Sequence, residues 1–231
     1  MNREKETEMI RCLLCDSYNK EFFLRDKFRD YFRCSNCSLI FVPRQFHVSR
    51  EKEKARYEEH NNDEHDKGYR DFITRIVEPI KGRLTEGGSG LDFGCGPTPL
   101  LAKVFREEGF AMEVYDSFYE VDKTVLGKKY DFVVSTEVLE HLGNPLNEIK
   151  DLFSLLQPGG ILAIMTLPFD SSVYFRGWHY KNDSTHICFY SVETFDWLSA
   201  HLGITYERIG KDIFIFTAPL LSGRRGFEKP L

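Results

Sequence analysis

The chain has 231 residues, 42% hydrophobic and 29% charged, with a net charge of −5. That excludes collagen, coiled coil and wholesale disorder, and leaves room for one catalytic domain plus a small appendage, with a core large enough to fold without disulfides. No apolar run approaches the roughly 20 residues of a membrane span, and the charged stretch Met1–Glu8 is unlike a signal peptide, so the expected location is the cytoplasm. Charge is uneven along the chain. Residues 1–57 carry 13 Lys+Arg against 9 Asp+Glu, and the rest carries 18 against 27, so only the N-terminal quarter is mildly basic.

Four of the six cysteines form one pattern: Cys12-Leu-Leu-Cys15, 18 intervening residues, then Cys34-Ser-Asn-Cys37. Two such knuckles match zinc-ribbon spacing, and each turns tightly enough to bring two thiolates to one side of a tetrahedral site. In a reducing compartment this reading outranks disulfides. A redox role for one knuckle is the weaker alternative, since neither follows the strand of a βαβ unit. Short strands at Glu21-Phe-Phe-Leu, Tyr31-Phe-Arg and Leu39-Ile-Phe-Val complete a β-rich module over residues 1–45, too small to fold without metal. Residues 46–68 are polar and read as a charged, partly helical linker. Tyr57, His60 and Asn61 fall where such a linker would cross the mouth of the next domain, and His60 is a candidate acceptor contact.

From Tyr69 onward, Tyr69, Phe72, Ile73, Ile76, Val77 and Ile80 share one helical face, closed by Gly82 and Gly87-Gly88. Next comes Gly90-Leu-Asp-Phe-Gly-Cys-Gly-Pro-Thr-Pro99 and an apolar helix from Leu100 to Phe105: strand, glycine turn, helix. Glycines let the backbone approach a ligand, and the helix that follows offers free N–H groups. With Pro at 97 and 99 in place of a third glycine, this is not the dinucleotide fingerprint.

The Asp-Phe-Gly-Cys-Gly turn resembles motif I of the class I S-adenosylmethionine (SAM) methyltransferases. The resemblance continues in order through Ala111–Asp116 as the second strand, Tyr130–Leu142 as strand four with its turn, Leu156–Met165 as strand five, and Lys211–Phe216 as the late antiparallel strand. It implies an α/β, Rossmann-like, mostly parallel sheet over residues 69–231. It also implies a SAM site along Asp92, Gly94, Cys95, Gly96, Asp116, Ser117, Phe118, Thr136, Glu137 and Val138, with Asp116 accepting from the ribose hydroxyls. Only 13 residues separate Asp116 from Tyr130, too few for a helix, a strand and their loops, so the strand-three region is expected to be shortened. Phe118 and Tyr119 then either wall the adenine or pack the core.

Two clusters carry candidate chemistry. Glu137, Glu140 and His141 share a face if Glu137–His141 is helical. The segment Trp178–Ser191 follows strand five, where this fold inserts its acceptor-binding residues. His186 there is the leading candidate for a general base, and Trp178, Tyr180 and Tyr190 form either an aromatic acceptor pocket or lid packing. The Glu-x-x-Glu-His pattern with a downstream His resembles metal-dependent small-RNA 2′-O-methyltransferases and some ubiquinone-pathway O-methyltransferases. That implies a second divalent cation; the alternative is a capped turn with no metal. A four-cysteine module joined to a SAM core also resembles deoxysugar C-methyltransferases, although here Thr185 precedes His186 where those enzymes have Glu, and their extra C-terminal domain is missing. Cys95 and Cys188 read as buried small residues.

The reading is a SAM-dependent methyltransferase with structural Zn²⁺ and a small-molecule acceptor. The acidic catalytic half disfavours nucleic acid, leaving an RNA methyltransferase that uses the ribbon, or a non-catalytic SAM-binding module, as the alternatives. The pattern specifies no oligomeric state.

Overall fold

A computed structural model describes residues 9–59 and 64–220. The N-terminal module is a hairpin, β1 (Lys20–Arg25) and β2 (Asp30–Cys34), followed by the two-residue strand β3 (Ile40–Phe41). The segment read as a linker contains α1 (Arg50–Glu58), capped by the Ser49 side chain on the Lys52 amide, with Glu51 and Glu53 in its first turn.

The helix expected over residues 69–80 is broken into α2 (Lys67–Ile73), a short 3-10 turn at Thr74–Ile76, and α3 (Val77–Lys81). Pro79 accounts for the break: it has no N–H for the Arg75 carbonyl, and its ring crowds that group. The strand–turn–helix follows as β4 (Ser89–Phe93) and α4 (Leu100–Glu107), then β5 (Ala111–Tyr115). Between Asp116 and Tyr130 there is no strand, only a 3-10 turn at Lys123–Gly127, so the strand-three region is shortened as expected. The rest is β6 (Tyr130–Thr136), α5 (Pro145–Ser154), β7 (Leu156–Met165), β8 (Cys188–Phe189), α6 (Val192–Leu202), β9 (Tyr206–Ile209) and β10 (Ile213–Thr217).

The main sheet has the order β5-β4-β6-β7-β10-β9. Pairing is parallel from β5 through β7, and β10 runs antiparallel to both its neighbours. Both faces are covered, as a parallel sheet requires. Phe132, Val134, Ile161, Ala163 and Met165 pack on the α2–α4 side, while Val133, Leu162 and Ile164 face the other.

That second face is not closed by the catalytic half alone. Its core is continuous with Tyr31, Phe32, Leu39, Ile40, Phe41 and Val42 of the N-terminal module. The module's sheet, β1-β2-β3-β8, takes its last strand from the segment after β7, with Ile40 opposite Phe189 and Phe41 opposite Cys188. Among the described residues, no helix is long and apolar enough to cross a membrane.

Candidate active site

A cavity of about 780 Å³ opens at the C-terminal ends of β4, β5 and β6. Its floor is the glycine turn. Gly94 and Gly96 have φ of 80° and 66°, which favours glycine. At Gly94 a Cβ would also lie 2.3 Å from the Val138 side chain. The Gly94 and Cys95 amides donate to the Tyr115 carbonyl at 2.7 and 3.2 Å, tying the turn to the end of β5.

Asp116 locks the turn further. Its Oδ2 accepts from the Gly96 amide at 3.0 Å, and its Oδ1 accepts from the Phe118 and Tyr119 amides at 2.7 and 3.2 Å. An ionised carboxylate has about four acceptor sites, so capacity remains for a ligand hydroxyl. Asp92 is buried with Oδ1 unpartnered, and burial pushes its carboxyl up to about 7. Glycines held open beside an orphaned buried carboxyl fit a polar, cationic ligand such as SAM. Asp92, Gly94, Cys95, Gly96, Asp116, Ser117, Phe118, Thr136, Glu137 and Val138 all line this one cavity.

The opposite wall holds the titratable groups. Glu137 directly follows β6 at φ 52°, with its amide donating to the Met165 carbonyl. Burial, reinforced by Glu140, holds its carboxyl well above the usual range. The expected helical face of Glu137, Glu140 and His141 therefore does not form, because a left-handed residue cannot continue a right-handed turn and Leu139–His141 is a separate 3-10 turn.

Glu140 is fully buried; its carboxylate accepts from Thr166 Oγ1 at 2.9 Å and from the Tyr180 hydroxyl. Among the described residues, the ligand atoms of Glu140, His141 and His186 lie within 4.8 Å of one another. His186 Nδ1 donates to the Tyr180 carbonyl at 2.7 Å, and His141 Nδ1 to the Thr185 carbonyl at 3.2 Å. A carbonyl can only accept, so Nδ1 is the protonated nitrogen of each ring and Nε2 is where the neutral form carries its lone pair. Burial, with His141 next, lowers His186 from the ordinary histidine value to about 4.

Tyr180 lines the cavity, but Trp178 and Tyr190 do not. Trp178 is buried among Phe169, Phe175 and Phe189. Tyr190 stacks on Phe195 and donates to the Leu139 carbonyl at 3.1 Å. Both are core residues, since their rings face the layer shared with the N-terminal module.

The aromatic wall comes instead from α1. Tyr57 meets the rings of His141 at 5.2 Å and Phe118 at 5.7 Å, and the Arg50 guanidinium lies 4.2 Å over Phe118. Arg56 pairs with Asp183 at 3.0 Å. The sequence reading missed Arg50, Arg56 and Asp183, although the Ser49 cap and acidic first turn were available as a helix-start signal. His60 lies outside the described residues.

In the N-terminal module, Asp16 and Ser38, each just after its knuckle, take the same left-handed conformation, with φ of 55° and 61°. The four Sγ atoms lie within 4.8 Å of one another, with Cys12–Cys37 at 3.5 Å and Cys15–Cys34 at 3.4 Å, and all four thiols are free. A tetrahedron with metal–sulfur bonds of about 2.3 Å has sulfurs about 3.8 Å apart, so the donor set fits one zinc-sized ion.

The profile of a methyltransferase-domain family matches residues 57–209. The chain belongs to that methyltransferase family. SAM is the cofactor this membership supports, in agreement with the turn geometry above. The ubiquinone biosynthesis O-methyltransferase of Parvibaculum lavamentivorans is 42% identical over 97 residues, covering 42% of this chain and 30% of the relative. That of Vibrio vulnificus strain YJ016 is 32% identical over 79 residues, 34% of each chain. The methyltransferase chain thus spans about a third of the length of these curated relatives. Among solved structures, an O-methyltransferase family protein from Burkholderia thailandensis aligns with a TM-score of 0.48 at 16% identity, covering 75% of this chain and 64% of that one.

Proposed function

We propose that this methyltransferase moves the methyl group of SAM to a small-molecule acceptor held between α1 and residues 179–186. The observation that carries the reading is the pair of imidazoles, each oriented through Nδ1 and presenting Nε2 in the cavity that also contains the glycine turn. The cavity volume lies in the range of roughly 300–1,000 Å³ usual for small-molecule sites. The ubiquinone-pathway names of the matched relatives point to the same class of acceptor.

Bound SAM supplies a sulfonium methyl, open to in-line displacement. The protein's part is to position the acceptor and take its proton. His186 Nε2 is unprotonated at neutral pH, given a pKa of about 4, and Glu140, held by Thr166 and Tyr180, stabilises the imidazolium that forms. Tyr57 and Phe118 offer ring faces to the acceptor and the adenine, respectively.

A second reading is favoured by the convergence of Glu140, His141 and His186: the two Nε2 lone pairs and the carboxylate hold a divalent cation that acidifies an acceptor hydroxyl. Nδ1-anchored imidazoles beside a carboxylate suit such an ion. The four-cysteine cluster is proposed to hold one structural Zn²⁺.

Labelled SAM incubated with the enzyme and a cell extract tests the assignment. His186→Ala should lower turnover by about 10²–10⁴-fold with SAM affinity unchanged. Normal turnover would remove His186 from the chemistry. In the cation reading, activity falls with EDTA and returns with Mg²⁺ or Mn²⁺ while the cysteine site keeps its zinc.

A further inference from the structure

We propose that Arg29, in the N-terminal module, is a positioning residue for the acceptor side of the site: its guanidinium holds residues 181–186 in the loop that presents His186. The inference rests on the reading of His186 above.

Arg29 is buried, and all five of its N–H donors are used. Its Nη2 donates to the carbonyls of Lys181 at 2.5 Å and Asp183 at 2.7 Å; its Nη1 donates to those of His186 at 2.8 Å and Ser184 at 3.1 Å. Its Nε donates to the Tyr31 hydroxyl at 2.9 Å. Four carbonyls drawn from six consecutive residues converge on one cation. Such a cluster of negative dipole ends is unfavourable without a positive centre, and a planar fork matches it where a single ammonium does not.

The cation is itself held. Asp26 accepts from the Phe28 and Arg29 amides at 2.8 and 3.0 Å, and from the Tyr31 hydroxyl at 2.8 Å. Lys181 reaches back to Asp26 at 3.2 Å. His186 is thereby fixed at two points: its carbonyl on Arg29 and its Nδ1 on the Tyr180 carbonyl. On the far side Asp183 caps Thr185 and pairs with Arg56 of α1, so the loop is held between the N-terminal module and α1.

The test needs no acceptor. In protein labelled with ¹⁵N-histidine, the His186 resonances, identified by their loss in His186→Gln, should report the Nδ1-protonated tautomer. Arg29→Ala should replace that signal with a tautomer-averaged one, while calorimetry shows unchanged binding of S-adenosylhomocysteine, and Arg29→Lys should fall between the two. Turnover of labelled SAM in extract should fall by about 100-fold in Arg29→Ala, the scale of a small misplacement. If Arg29→Ala does not fold, Arg29→Lys gives the same readout. A wild-type tautomer signal in the folded variants overturns the proposal. Normal turnover in His186→Ala instead removes the base assignment and leaves the tautomer result to decide Arg29 by itself.

Discussion

The two halves of the cavity are built on different principles. Most of the cofactor half comes from consecutive chain, β4, the glycine turn, α4 and the end of β5 with Asp116, joined by hydrogen bonds within 30 residues, and only Thr136, Glu137 and Val138 are added from the end of β6. The half proposed to hold the acceptor is assembled from afar. Tyr57 comes from α1, Glu140 and His141 from the turn after β6, Tyr180 and His186 from the segment after β7, and the anchor Arg29 from the N-terminal module. A locally coded half tolerates distant damage; an assembled half transmits it. The module is thus more than an appendage beside the catalytic sheet. It closes one face of the core and pairs its edge strand β3 with β8.

The harshest way to break the comparison is to remove one of the four clustered cysteines. On the proposed zinc site Cys37→Ser should lose the metal, and structural zinc contributes on the order of 10 kcal/mol to folding in small modules. Hydrogen exchange should then show loss of protection in residues 20–42 and in 178–190, whereas 89–116 stays protected and still binds S-adenosylhomocysteine. Metal analysis of unmodified protein should find one zinc per chain. Loss of protection confined to residues 20–42 would mean that the acceptor half stands without the module.

Asp116→Ala probes the other half. It removes the acceptor for three backbone amides and, on the reading of Asp116 as the ribose contact, for the ribose hydroxyls, so SAM affinity should fall by about 2–3 kcal/mol, the range for hydrogen bonds to a charged group. Calorimetry decides it, and the acceptor segment should keep its exchange protection. Tyr180→Phe works in the opposite direction. It strips one donor from buried Glu140 and should cost about 1–3 kcal/mol of stability by denaturant titration while leaving SAM affinity intact. An equal loss of SAM affinity would show the halves to be coupled.

The same division explains what was legible in the sequence. The glycine turn and the paired knuckles are short-range patterns, and the resemblance added Asp116 and the shortened strand-three region; the turn and Asp116 line one cavity, the four cysteines cluster, and no strand lies between Asp116 and Tyr130. For the aromatic residues after β7 the sequence leaves acceptor pocket and packing both open, because residue type alone does not say which side of a loop faces the core: Trp178 and Tyr190 face the shared core, while Tyr180 and Tyr57 line the cavity. The expected helical face at Glu137 failed because its positive φ comes from the strand end it must turn. Arg29 left no signal at all, since its four carbonyl partners lie more than 150 residues away.

The smallest expected effect is a pH dependence inside the cofactor half. Asp92 is held at about 7 by burial, opposed by a backbone bond from Ala102, against about 3.9 for an unfolded aspartate. Between those values the folded protein keeps a proton that the unfolded chain has lost. Asp92 therefore contributes stability in full below about pH 4, and that contribution is lost as pH rises through 7. A cation bound beside it favours the ionised carboxylate, so SAM should bind about tenfold more weakly at pH 6 than at pH 8, the limit set by one proton over one unit below its pKa. Calorimetry near pH 7 in buffers of differing ionisation enthalpy should show a fraction of a proton released on binding. Asp92→Asn should abolish both the release and the slope, with the acceptor-side signals unmoved. Binding without proton release would place the SAM cation away from Asp92 and leave the orphaned Oδ1 to a neutral donor.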